Sequence, residues 1–250
     1  MAPSAIAPSE PVVITSNGST LGLYSSSPDS DVAAPAVQAP AVGYRGYHHI
    51  TWWVGNAKQA ASYYITRMGF KAVAKRDLST GCRHIASHVV QNGNVRLVFT
   101  SPLLASEPYG KRLDKNRLSA EDQALLEEMH EHQEKHGDAV KDVAFEVDDV
   151  QAVYATAVQR GAKVVYEPKV LSDESTGDVA VASVRTYGDT THTFIQNQGY
   201  SGPFLPGYQA VAYIDPTEHY LPTCTLDVVD HCVGNQDWDQ MEDACDLSVV

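Results

Sequence analysis

The sequence is poor in cysteine, and its few cysteines lack the spacing of a redox or zinc motif. Its 250 residues include Cys82, Cys224, Cys232 and Cys245, and no pair forms CxxC. Three of the four lie within the last 27 residues, unlike the even spread of a disulfide framework. We therefore expect reduced thiols and a cytoplasmic protein.

Positive charge and long apolar runs are also scarce. The chain has 18 Lys and Arg against 31 Asp and Glu, a net charge of −13 with His neutral. Non-specific nucleic-acid or anionic-membrane binding needs clustered cations, so we expect neither partner. No apolar run approaches the roughly 18 residues of a membrane-spanning helix. GxSxG, P-loop and Rossmann motifs are absent as well.

The first 42 residues contain no Lys or Arg and are rich in Ala, Pro and Ser. A secretory signal needs a positive start and an apolar stretch, and a mitochondrial presequence needs Arg. A segment with so few large apolar residues cannot offset its ordering entropy. Residues 1–42 are therefore predicted to be a disordered leader, and the folded region to begin near Gly43.

A repeat organises the rest of the chain. The apolar runs His49–Val54 and Asp142–Val147 start 93 residues apart, and a third, shorter match starts at His231, 89 residues later. A helix capped by Asn56 and ending at Gly69 follows the first run. A helix capped by Asp149 and ending at Gly161 follows the second, with apolar residues at i, i+3, i+4, i+7 and i+8.

Three further strands follow each helix. Asn92-Gly93 and Gly188-Asp189 are the turns between the last two strands of each copy. The predicted strands are 71–75, 85–90 and 95–100 in the first copy, and 164–167, 179–187 and 191–197 in the second. Each copy is thus a βαβββ unit, which must pair with another to bury its apolar sheet face. The fold class is α+β with paired βαβββ units.

A connecting helix is predicted between the copies. It begins at Ser119, has Asp122 in a capping-box position, and stops before Gly137. Its modest apolar stripe and its charges of both signs indicate an outer connector. The predicted domains are the paired units at 43–200, a linker at 201–225 and the start of a second domain at 226–250.

Several runs resemble the 4-hydroxyphenylpyruvate dioxygenase family of the vicinal-oxygen-chelate superfamily. They are Tyr47–Gly55, Asp77–Gly81, Leu97–Pro102, His136–Asp138, Val143–Val147 and Val229–Asn235. The resemblance implies a vicinal-oxygen-chelate (glyoxalase-like) fold and conversion of 4-hydroxyphenylpyruvate and O2 to homogentisate and CO2. It also implies a homo-oligomer and Fe(II) held by two His and one Glu. Hydroxymandelate synthase, with the same fold and substrate, is a sub-alternative.

The resemblance assigns one iron ligand, His231, and assigns no catalytic or substrate-binding residue. The family's second His and its Glu come from later strands, beyond Val250. We therefore expect a truncated dioxygenase with an incomplete iron site and no turnover alone. Two alternatives remain: a non-catalytic structural or partner module, and another superfamily member that binds a metal or small ligand in a cup formed by residues 44–200.

The other candidate residues have a structural interpretation beside a functional one. His49 repeats the position of His231, but a buried strand histidine is the expected role for it and for His48. His132 and His136, with His130 nearby, could form a metal pair but are interpreted as a solvated helix end. His84 and His88 lie on one predicted strand face, and the basic run comprises Lys111, Arg112, Lys115 and Arg117. Trp52 and Trp53 are expected on opposite strand faces. Asp148-Asp149 is interpreted as helix capping.

Overall fold

The structure, a computed structural model, describes residues 43–103, 118–185, 188–212, 216, 220–221, 224–235 and 238–239. The predicted leader at 1–42 and the basic run at 111–117 lie outside the described residues. Residues 240–250, the end of the predicted second domain, lie outside them too.

The first unit has the predicted βαβββ order. It comprises β1 (Tyr44–Trp53), α1 (Ala57–Met68), β2 (Lys71–Arg76), β3 (Ile85–Asn92) and β4 (Val95–Pro102). Asn56 caps α1 by accepting a hydrogen bond from the Gln59 amide, and Gly69 ends the helix at φ 72°. Both boundaries follow from local chemistry, which is why the sequence predicts them.

The second unit repeats this order after the connecting helix α2 (Ala120–His136). It comprises β5 (Ala139–Val147), α3 (Val150–Gln159), β6 (Lys163–Asp173), β7 (Gly177–Arg185) and β8 (Thr191–Gln196). Asp149 caps α3, as predicted, by accepting from the Ala152 amide at 3.0 Å. β6 continues past Pro168, beyond its predicted end, because an outer strand tolerates a proline.

The two units share one sheet. Its described strands run in the order β6-β7-β8-β5-β1-β4-β3-β2-β9, where β9 is the pair Gln209–Ala210. β1 is parallel to β4, β5 is parallel to β8, and β1 joins β5 antiparallel with Ile50 opposite Val143. The units therefore pair edge to edge, and the predicted α+β fold of paired βαβββ units is confirmed.

Helices α1 and α3 cover one face of this sheet. Val90 and Phe99 pack beneath α1, while Val184 and Phe194 pack beneath α3. The alternating neighbours Val89 and Val98 point to the other face, where residues 204–208 cover them. Full burial of a Val or Phe side chain is worth about 1.5–3 kcal/mol, so both faces stabilise the fold.

The predicted apolar stripe of α2 is confirmed as its buried face, so the helix packs against the sheet as well as connecting the two units. Leu126, Met129 and His132 are buried, and the first two form a cluster with Trp53. The Lys141 ammonium fixes the helix further, 2.7 Å from the Glu128 carboxylate and 4.7 Å from the centre of the Trp53 ring system. Only three positions of α2 are buried, too few for a strong helical period in the sequence.

The segment after the second unit returns to the first. β9 pairs with β2, and residues 224–229 lie against the first unit. Leu226 is partly buried, whereas Val228 and Val233 are exposed. Residues 224–235, where the third repeat predicts a strand start, form no strand in the structure, because no strand of the described sheet lies beside them.

None of the helices in the described ranges has both the length and the apolar character needed to cross a membrane.

Candidate functional site

The predicted iron ligand, His231, lies on the surface. Its side chain is 71% exposed, and its Nδ1 is 2.7 Å from a carboxylate oxygen of Asp230. This contact orients the imidazole and leaves Nε2 directed away from Asp230, as in a histidine available to a metal. The structure thus places His231 where a further protein segment could approach it.

The residues around His231 do not by themselves fit an Fe(II) site. Within the part of the chain that the structure describes, no group of three or more His, Cys, Asp or Glu side chains could hold a metal ion. A facial triad needs two His and one carboxylate at once. The described residues therefore supply a single candidate ligand.

Anchors flank His231 on both sides along the chain. Val229 packs against the core beneath α1. Cys232 is exposed, and its thiol lies beside the Tyr47 side chain. The backbone on both sides of His231 is thus tied to the first unit.

The pair His48 and His49 is buried, which confirms the structural interpretation. Their Nδ1 atoms are 2.7 Å apart, and the Phe204 ring lies 4.9 Å from the His49 ring. Burial, with the nearby Arg96 cation, lowers the pKa of His48 to about 3. Burial also lowers the pKa of His49 well below its usual value, so both rings are neutral at physiological pH.

The neutral pair has one consistent arrangement of protons. Arg96 Nη1 is 3.3 Å from His48 Nε2, and a guanidinium can only donate. His48 Nε2 therefore accepts, His48 Nδ1 carries the proton, and His49 Nδ1 accepts it. Both nitrogens of His48 and the Nδ1 of His49 are thus held in hydrogen bonds within the core, which supports a structural role for the pair.

The cup proposed as an alternative site is partly covered by the linker. Phe204, Leu205 and Tyr208 cover the sheet face opposite α1, and the Tyr208 hydroxyl is 3.0 Å from Ser87 Oγ. Leu205 also packs against the corresponding face of the second unit. The linker thus covers part of the sheet face on which such a ligand was expected.

The α2 histidines differ from the solvated helix end that the sequence suggested. His132 is buried with its ring 5.3 Å from Trp53, and burial together with the Lys141 charge lowers its pKa. His136 is near the surface, with Nε2 2.8 Å from Asp189. The interpretation is wrong for His132, because the contact with Trp53 spans two elements that the sequence does not place together.

His84 lies just before β3, and His88 lies within it. His84 Nε2 is 3.1 Å from Asp122, and the Cys82 sulfur is 3.8 Å from the His84 Nδ1. Burial lowers the pKa of both His84 and His88.

The capping prediction is confirmed for Asp149 but not for Asp148, and the prediction that the two tryptophans face opposite sides is confirmed. Asp149 caps α3, and its neighbour Asp148 binds Arg45 at 2.6 Å. Trp53 packs against α2, while Trp52 faces the core beneath α1. These residues are structural.

A buried carboxyl group on β5 was missed. Asp142 accepts hydrogen bonds from the hydroxyls of Thr191 at 2.6 Å and Thr193 at 2.8 Å. Burial raises the pKa of Asp142 to about 6, against the opposing effect of these hydroxyls and of Lys141. The signal was an aspartate opening an apolar strand, but its hydroxyl partners lie about 50 residues away.

Comparisons with known proteins agree with this fold. The sequence-family model of the Glyoxalase/Bleomycin resistance protein/Dioxygenase superfamily matches residues 46–171, which span the first unit and much of the second. The chain belongs to this superfamily.

Curated relatives give a closer assignment. The chain is 51% identical over 218 residues to the 4-hydroxyphenylpyruvate dioxygenase of Coccidioides posadasii, a match of 87% of this chain and 53% of that protein. It is 55% identical over 202 residues to the protein of the same name from Neurospora crassa, a match of 81% and 48%. The chain thus spans about half the length of the curated relatives it matches.

A solved structure shares the fold. It is a mutant of 4-hydroxymandelate synthase from Streptomyces coelicolor, with a TM-score of 0.52 and 24% identity. The match covers 68% of this chain and 42% of that one. At this identity the likeness concerns the fold alone.

Proposed function

We propose that the chain is the paired-unit portion of a 4-hydroxyphenylpyruvate dioxygenase. The whole protein would convert 4-hydroxyphenylpyruvate and O2 to homogentisate and CO2 in tyrosine breakdown. The identity of 51–55% to curated dioxygenases, over more than four fifths of the chain, carries the proposal. Homogentisate is favoured over hydroxymandelate because the synthase matches at only 24% identity.

Fe(II) is the proposed cofactor of the whole protein, and His231 is its proposed ligand from this chain. The described residues bring no second His or Glu to His231, so we assign no step of the reaction to them. The role proposed for the described residues is structural: they fold the paired units and carry His231 on a segment tied to the first unit.

A chimera tests this function. Residues 43–235 of this chain would replace the matching stretch of the Coccidioides posadasii relative, and homogentisate would be measured with added Fe(II) and ascorbate. We expect turnover within about tenfold of the parent relative, since the replaced stretch is half identical. His231→Ala in the chimera should abolish turnover, while His136→Ala, a histidine on α2, should leave it nearly unchanged.

A folded chimera that makes no homogentisate would contradict the proposal. Full activity of the His231→Ala chimera would refute the ligand assignment while leaving the family assignment intact.

A cytoplasmic location is part of the same proposal. Cys82, Cys224 and Cys232 are free thiols in the described ranges, as in a reducing compartment. Fluorescence microscopy of a tagged chain tests it, and secretion of the protein would contradict it.

A further inference from the structure

The turn between β3 and β4 contacts the segment that carries His231. The Asn92 side chain donates from Nδ2 to the Cys224 carbonyl at 2.7 Å and accepts at Oδ1 from the Leu226 amide at 3.1 Å. The backbone amide of Asn94 donates to the Asp227 carbonyl at 3.1 Å. We name this turn, residues 92–94, the hairpin clamp.

The hairpin clamp binds backbone groups of the segment rather than its side chains. Its carboxamide presents one donor and one acceptor, as a neighbouring β-strand would, to backbone groups two residues apart. Asn92 is 8% exposed, so both bonds are shielded from water, where a net hydrogen bond is strongest. The clamp therefore fixes which residue of the segment lies opposite the hairpin.

Apolar contacts add to this register. Leu226 and Val229 are the partly buried members of the segment, and both pack on the core beneath α1. Val228, between them, is 63% exposed. A shift by two residues would replace Leu226 with exposed Val228 and remove Val229 from the core.

Two glycines leave room for the segment. A Cβ at Gly93 would overlap the Leu226 carbonyl oxygen, and one at Gly69 would lie 3.2 Å from the Cys224 carbonyl oxygen. Gly93 also has a φ of 58°, which its turn requires. The turn type alone would admit asparagine at position 93, whereas the segment excludes any side chain there.

We propose that Asn92 is a positioning residue that sets the register of residues 224–229 and thereby the location of His231. His231 is two residues beyond Val229 and next to Cys232, so a slip of the segment at Asn92 moves it directly. The relevance to iron rests on the proposed function, but the docking itself does not.

Amide hydrogen exchange on the 250-residue chain tests the clamp. In the unaltered protein we expect the Leu226 amide to exchange at least tenfold more slowly than an unstructured peptide. Asn92→Ala should remove most of this protection and also accelerate the Asn94 amide. Asn94→Ala keeps its backbone amide and is the matched control, with changes under about twofold.

Two more variants keep the test decisive if Asn92→Ala destabilises the whole chain. Asn92→Asp retains the acceptor for Leu226 but loses the donor to Cys224, so exchange at Leu226 should lie between that of the unaltered protein and Asn92→Ala. Gly93→Ala should release the segment by overlap alone. In each variant the amides of Val89 and Val98 should keep their exchange rates, which reports an intact core.

An unprotected Leu226 amide in the unaltered chain would overturn the clamp. Unchanged protection in both Asn92→Ala and Gly93→Ala would do the same. Exchange needs neither iron nor substrate, so an inactive chimera with a protected Leu226 would refute the proposed function and leave the clamp standing.

Discussion

At the scale of single residues, burial decides how the ionisable groups behave. The rings of His48 and His49 pack against Phe204 and share one hydrogen bond. Because they are buried, both rings stay neutral. The sequence could predict that they are strand histidines, because they continue an apolar run. It could not predict Phe204 or Arg96 as neighbours, which lie about 155 and 48 positions further along the chain.

The buried histidines predict a loss of stability in mild acid. The unfolded chain protonates a histidine near pH 6.5, whereas folded His48 does so only near pH 3, so its contribution is full above pH 6.5 and falls below it. At about 1.4 kcal/mol per pH unit, His48 alone costs about 2 kcal/mol by pH 5. Urea unfolding measured from pH 7 to 5 checks this fall.

Asp142 provides the matched control. Its folded pKa of about 6 exceeds the unfolded value of 3.8, so its contribution rises as the pH falls and offsets about 1.4 kcal/mol at pH 5. Asp142→Asn should therefore steepen the loss of stability between pH 6 and 5. A flat profile in the unaltered protein, or an unchanged slope in the variant, would contradict the account.

At the scale of elements, the sequence predicts what is locally encoded. Caps at Asn56, Ser119 and Asp149 and the Asn92-Gly93 turn set element boundaries through neighbours within three or four residues. The apolar stripe of α2 could be predicted, but its contact with Trp53 and the docking of residues 224–229 could not, because these partners lie in other elements. An extended segment without a partner strand also resembles a strand in its sequence pattern.

The contact of α2 with the sheet predicts a large stability difference between two helix positions. Met129 is fully buried beside Trp53, so Met129→Ala should lower the free energy of unfolding by about 2–5 kcal/mol. Glu127→Ala, on the exposed face of the same helix, should change it by less than about 0.5 kcal/mol. Urea denaturation of both variants measures the difference, and equal effects would mean that α2 does not pack as described.

At the scale of the whole molecule, edge-to-edge pairing leaves β6 as an outer strand with Val164, Val165 and Val170 exposed. A homo-oligomer, proposed from the family resemblance, would bury such residues in an interface between subunits. Light scattering after size exclusion should then report a multiple of the 27.1 kDa chain. A mass of one chain at micromolar concentration would contradict the oligomer.

The iron site is the part of the molecule that the sequence could predict least from its own residues. The assignment of His231 as an iron ligand depends on a family resemblance, and no physical pattern in the described residues indicates further ligands beside it. The paired-unit fold, in contrast, follows from two repeats with the same caps, turns and strand lengths.

The central claim is that these residues are the paired-unit part of a dioxygenase and cannot assemble its iron site themselves. Homogentisate formation with added Fe(II), ascorbate and 4-hydroxyphenylpyruvate, measured in parallel for the purified 250-residue chain and for the chimera, tests it most directly. The account predicts turnover by the chimera and none above the enzyme-free blank by the chain alone. Sustained turnover by the chain alone would contradict it.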